Sequence, residues 1–243
     1  EGFEAFIATG FEADGGSIEG PSYWNYGTTL NVVLIATLES ALGTAFALTQ
    51  RPGFLKSGEF PLQVTGATGK VGQAFLRRFL ADPSFAQFKV RALCHNRLVP
   101  AQERVEVVRG DLSQRETARA CLEGVTHVVH MAHVKETPEQ VMDVAVKGLF
   151  WLLEESRASE TFQQFILIGG DNAVGHCIVP HAAPVTETMG HSPYPGCYAL
   201  AKVLEEVMLE QYYFQYNLNG CCLRAPWIME KDDFKQTLSF GED

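Results

Sequence analysis

Apolar and polar positions along the chain follow two regimes that change near residue 60. From there onward, short apolar runs alternate with stretches in which apolar residues recur every three or four positions. The short runs predict strands over residues 61–65, 89–94, 105–108, 125–131, 165–168 and 220–224. Helical spacing puts Val71, Phe75 and Phe79 on one face of a helix that runs to Leu80. It does the same for Val141, Ala145, Leu149 and Leu152 in a helix over 140–156. A third helix is expected over 198–216. Strands alternating with helices imply right-handed parallel crossovers, hence an α/β fold with a doubly wound parallel sheet.

The first strand runs into Thr65-Gly66-Ala67-Thr68-Gly69-Lys70-Val71-Gly72. Glycines at 66, 69 and 72 let the backbone turn tightly, approach a pyrophosphate and pack a helix on the strand. The helix start then offers unpaired N–H groups and a positive dipole end to phosphates. Gly66, Thr68, Gly69, Lys70, Val71 and Gly72 are therefore the expected phosphate cradle, in a Rossmann-type sheet; a plain structural turn is the bland alternative. Asp111 and Leu112 follow the third strand. The Asp111 carboxylate could accept from an adenine amino group or cap a helix. Met131, Ala132 and His133 close the fourth strand, where small residues let a cofactor lie near. Tyr198 and Lys202 are four apart, on one helix face. A phenol is a weak base at neutral pH, and a nearby cation favours its anion.

Composition narrows the partners. The chain has 243 residues, 46% hydrophobic and 20% charged, enough for a core and too apolar for a wholly disordered chain. Nineteen basic residues against 29 acidic ones give a net charge of −10, which disfavours a nucleic-acid partner. Six cysteines without a CxxC pair read as reduced, intracellular usage. With no visible signal peptide, a cytoplasmic location is expected. No metal is expected at His127, His130 and His133, because odd offsets along a strand point to opposite faces. The apolar run over 30–48 contains Glu39, costly in lipid, so it reads as a packed helix and no membrane partner is expected.

Taken together, residues 61–243 resemble the extended short-chain dehydrogenase/reductases, in particular the NAD-dependent epimerase/dehydratases of nucleotide sugars. The supports are the glycine turn, Gly110-Asp111-Leu112, His130-Met131-Ala132-His133, Tyr198 with Lys202, and Leu223-Arg224-Ala225-Pro226. The resemblance implies hydride transfer between NAD or NADP and a sugar-like substrate. Tyr198 would be the proton donor or acceptor, and Lys202 would lower its pKa and hold the nicotinamide ribose. It also implies a homodimer formed through the helices over 140–156 and 198–216.

Three positions depart from the family pattern. Gly170 stands where the family carries a Ser or Thr that orients the substrate oxygen. His95 and Arg97 follow the second strand where an acid would grip the ribose of NAD, which leans the cofactor towards NADP. Only 19 residues follow Arg224, so the C-terminal substrate lobe is expected to be incomplete. A dinucleotide-binding module without turnover is thus the alternative to an enzyme.

Residues 1–60 form a separate acidic segment, with Glu1, Glu4, Glu12, Asp14, Glu19, Glu39 and Glu59 against Arg51 and Lys56. Asp14-Gly15-Gly16, Glu19-Gly20 and Tyr23-Trp24-Asn25-Tyr26 precede the apolar helix; the bland reading is aromatics packing its end. This N-terminal helical segment resembles a fragment of the helical toroid of heparinase II/III-like polysaccharide lyases. That resemblance makes Tyr23 or Tyr26 the matching acid or base, and a lyase remnant the third reading.

Overall fold

A computed structural model describes residues 60–175, 180, 184–226, 228 and 235. The segment likened to a lyase toroid, with Tyr23 and Tyr26, lies outside the described residues. Six strands, β1 (Phe60–Thr65), β2 (Phe88–Cys94), β3 (Val105–Arg109), β4 (His127–His130), β5 (Gln164–Gly170) and β6 (Gly220–Ala225), all pair in parallel. Their order is β3-β2-β1-β4-β5-β6. The chain winds outward from β1 through β2 to β3, then returns to lay β4 on the other side of β1. The reversal opens a crevice at the C-terminal ends of β1 and β4, where α/β sheets bind ligands.

Helices cover both faces. These are α1 (Lys70–Ala81), α2 (Arg115–Leu122), α3 (Pro138–Gln140), α4 (Gly148–Ala158) and α5 (Cys197–Tyr216). Strand periodicity divides the core between the two faces. Val128, Phe165 and Leu167 pack with Leu149, Leu152 and Leu209 on one face. Val129 and Ile166, one residue along, pack on the other with Leu62, Val90 and Leu76.

Most strands run one to three residues beyond the sequence-based reading, and the first helix one, to Ala81; the fourth strand and two helices also differ. The fourth strand is only His127–His130, not 125–131, because the backbone N–H of Val125 turns back to Leu122 O. The helix expected over 140–156 begins at Pro138 and ends at Ala158, and Val141–Lys147 within it is π-helical. A π turn keeps ordinary right-handed dihedrals, so spacing does not reveal it. The last helix starts one residue early, at Cys197.

Candidate active site

Ten of the expected cofactor residues surround one cavity of about 570 Å³ at the crevice: Gly66, Thr68, Gly69, His95, Arg97, Asp111, Leu112, Met131, Ala132 and His133. Asp143 and Val144 of the π-helical stretch close its far side. Lys70, Val71 and Gly72 do not line it; they form the first turn of α1. The two outer glycines serve the backbone. Gly66 has φ +68°, and a Cβ there would lie 2.6 Å from the Met131 carbonyl carbon, while one at Gly72 would strike Gly66 O. Gly69 is different. A Cβ there would meet Gly66 O at 3.3 Å, a tight contact but milder than those at Gly66 and Gly72, and would otherwise take up room in the cavity. That room, next to the start of a twelve-residue helix, fits a phosphate group.

Thr65, which sequence reasoning treated only as part of the turn, fastens the crevice. Its Oγ1 accepts from the amides of Met131 and Ala132, both at 3.2 Å, and its hydroxyl donates to His130 Nδ1 at 2.7 Å. His130 is fully buried, and desolvation, with Lys202 nearby, pushes its pKa down to about 3. Because β4 ends at His130, alternation does not extend to His133. His130 and His133 therefore sit close enough to repel each other's charge, contrary to the expectation that they diverge. His127 lies apart, edge-on to Phe88. Asp111 lines the cavity while its Oδ1 accepts from Ser113 N at 2.9 Å, so the carboxylate fixes its own turn.

Past His133 lie Tyr198 and Lys202. The Glu136 carboxylate caps α5 from outside, accepting from Cys197 N at 2.9 Å and Tyr198 N at 3.3 Å. Gly196 makes room for it at φ +124°. Tyr198 packs against the His133 ring, with centroids 4.4 Å apart. Lys202 Nζ is 5.9 Å from the Tyr198 ring centroid. It donates to Ile168 O at 3.0 Å and to Glu205 Oε2 at 2.9 Å. Glu205 is fully buried, and desolvation raises its carboxyl to about 7 against the pull of Lys202. Burial raises the Tyr198 phenol too, and the carboxylates of Glu205, Asp171 and Glu136 add to it. The sequence offered Glu205 only as an acid three residues after a lysine.

Gly170 ends β5 beside the aliphatic stem of Lys202, where a Cβ would sit 3.7 Å from Lys202 Cγ. The space of the missing side chain is filled by the Asn172 carboxamide, whose buried Oδ1 has no hydrogen-bond partner among the described residues. Arg224, at the end of β6, holds Glu206 Oε2 at 2.9 Å, and His191 meets the same oxygen at 2.8 Å. Arg224 Nη1 also donates to Met189 O at 3.2 Å, tying the segment before α5 to the sheet.

The strand order, the switch-point crevice and the glycine turn define a Rossmann-type α/β protein. The chain belongs to the NAD dependent epimerase/dehydratase family, whose model matches residues 62–229. Comparison with curated proteins finds no significant match. Among solved structures it is similar to a uronate dehydrogenase from Agrobacterium tumefaciens, with 25% identity and a TM-score of 0.59. That match covers 67% of this chain and 59% of the other. It is also similar to a UDP-glucuronic acid 4-epimerase from Bacillus cereus, solved with UDP-glucuronic acid and NAD, with 18% identity and a TM-score of 0.57. There, 68% of this chain and 56% of the other are covered. The chain thus spans less than two thirds of the length of these neighbours. Among the described residues, no helix is long and apolar enough to cross a membrane, and no cluster of His, Cys, Asp or Glu could hold a metal ion.

Proposed function

We propose that this chain binds a nicotinamide dinucleotide in the switch-point cavity and moves hydride between it and a sugar-like substrate, of the uronate or nucleotide-sugar class. The observation that carries this reading is the continuity of the site. One cavity collects the glycine turn, the ends of β2 to β4 and His133, and His133 packs directly on Tyr198. Helix α1 and Gly69 would hold the pyrophosphate, Asp111 the adenine, and Met131, Ala132 and His133 the floor under the nicotinamide. His95 and Arg97 line the adenosine end of that cavity, which supports a lean towards NADP.

When bound, the dinucleotide takes or returns a hydride. In the oxidising direction Tyr198 would start as the phenolate, accept the substrate hydroxyl proton and end as the phenol, while the electron pair of the breaking C–H bond left as hydride for the dinucleotide. Lys202, fixed from β5 and Glu205, holds the ribose and orients the phenol. The uronate and UDP-sugar enzymes among the structural neighbours support this substrate class. The test is titration with NADH and NADPH, followed by turnover assays on glucuronate, UDP-glucose and UDP-glucuronate. Turnover is expected to need both a dinucleotide and Tyr198; activity surviving Tyr198→Phe would contradict the role of the phenol.

One observation favours a second reading, a dinucleotide-binding module without turnover. Gly170 supplies no hydroxyl to orient a substrate oxygen, and loss of one such donor costs about 10²–10³ in rate. That reading expects saturable dinucleotide binding and no hydride transfer across the same substrates.

A further inference from the structure

Lys202 and Glu205 lie one turn apart on α5 and pair at 2.9 Å, with side chains 5% and 0% exposed. The ammonium also donates to Ile168 O on β5, so two elements fix its position. A lone cation this near a phenol favours the phenolate. Here its counter-charge is at contact distance, so the phenol faces an ion pair with no net charge in place of a lone cation. Behind Glu205 stands His133. Its Nδ1–H donates to Val134 O, which leaves Nε2 a bare acceptor 3.5 Å from Glu205 Oε1. Two acceptors face each other there, one proton short of a hydrogen bond.

We propose that Glu205 is a positioning residue of this site, whose carboxylate anchors the Lys202 ammonium and cancels its field at the Tyr198 phenol. The proposal rests on reading Tyr198 and Lys202 as the proton-transfer pair and adds the group that sets when that pair works. The charged and titratable groups facing Lys202, Glu205 and Tyr198 come from every packed element. Lys202 and Glu206 lie on α5, His130 on β4, His133 and Glu136 after it, Asp171 after β5, and Cys222 on β6. The π-helical stretch meets α5 with Val141 and Ala145 against Ala201. His130 and His133 are held neutral by burial and by Lys202, and Glu206 is engaged by Arg224 and His191. Lys202 is thus the cation that Glu205 answers. Burial lifts the Glu205 carboxyl to about 7, still below the range in which a phenol ionises. Glu205 is therefore already anionic when Tyr198 would lose its proton, and it opposes that loss.

The experiment is an NMR titration of the full chain carrying ¹³C at the tyrosine ζ carbon, with the Tyr198 signal assigned through Tyr198→Phe. Glu205→Gln is expected to lower the Tyr198 midpoint by about one unit. The unmodified chain is expected to keep the Tyr198 midpoint above that of a free phenol. A midpoint unchanged or raised in Glu205→Gln would overturn the proposal. So would a Tyr198 midpoint below the free phenol range in the unmodified chain, a result that does not depend on the variant folding. No dinucleotide or substrate is present, so failure to bind or turn over would count against the proposed function and leave this readout intact.

Discussion

Glu136 accepts a hydrogen bond from the backbone N–H of Tyr198, 62 residues further along the chain, and so caps the helix that presents the phenol. The helix supplies no side-chain cap of its own, since Gly196 occupies that position. A carboxylate at a helix start satisfies orphan donors and opposes the positive dipole end. Glu136→Ala is expected to destabilise the protein by about 1 kcal/mol in urea unfolding, with a smaller effect at high salt.

Thr65→Val keeps the shape of the side chain and removes an oxygen that serves Met131 N, Ala132 N and His130 Nδ1. Leaving buried donors unpaired costs about 1–3 kcal/mol each, so a loss of about 2–3 kcal/mol is expected in urea unfolding. Dinucleotide affinity should fall as well, because Met131 and Ala132 line the cavity. Calorimetric titration with NAD checks that second effect.

Gly66 and Gly69 separate packing from binding. Gly66→Ala forces a Cβ onto the Met131 carbonyl at φ +68° and should cost about 1–3 kcal/mol of stability. Gly69→Ala, with an ordinary φ of −76° and a Cβ 3.3 Å from Gly66 O, should cost less stability than Gly66→Ala. It should weaken dinucleotide binding by about tenfold, because its methyl enters the cavity. A tenfold loss corresponds to about 1.4 kcal/mol.

Acid stability carries opposing contributions from this buried cluster. His130, with its pKa pushed down to about 3, and His133, down to about 4, bind protons less readily folded than unfolded. They lower stability as pH falls through about 6.5. Glu205, raised to about 7, binds its proton more readily folded than unfolded, so it raises stability as pH falls from about 7 towards 4.5. Glu205→Gln removes that counterweight. Between about pH 7 and pH 5 the urea midpoint of the variant is expected to drop more steeply than that of the unmodified chain.

All six strands could be read from the chain because each is a short apolar run bounded by turn residues, and Thr65-Gly66 marks the crevice outright. Most of the cavity followed from that turn. What could not be read is what the fold brings together from afar. Glu136 reaches the start of α5 across the whole β5 unit, and Asn172 folds back over Gly170. Around Glu205 the fold gathers His133, from beyond β4, and Lys202, held from β5, on a helix that the π-helical stretch also packs against. Three-residue spacing shows that Lys202 and Glu205 can meet, but not that water is kept out.

The roles proposed for Tyr198 and Lys202 require a nicotinamide dinucleotide in the switch-point cavity. Calorimetric titration of the full chain with NAD and NADP, alongside Gly69→Ala, tests it most directly. Saturable binding of either dinucleotide, weakened about tenfold in a Gly69→Ala chain that remains folded, is the expected outcome. Absence of saturable binding by both, or binding that Gly69→Ala leaves unaltered, would contradict it.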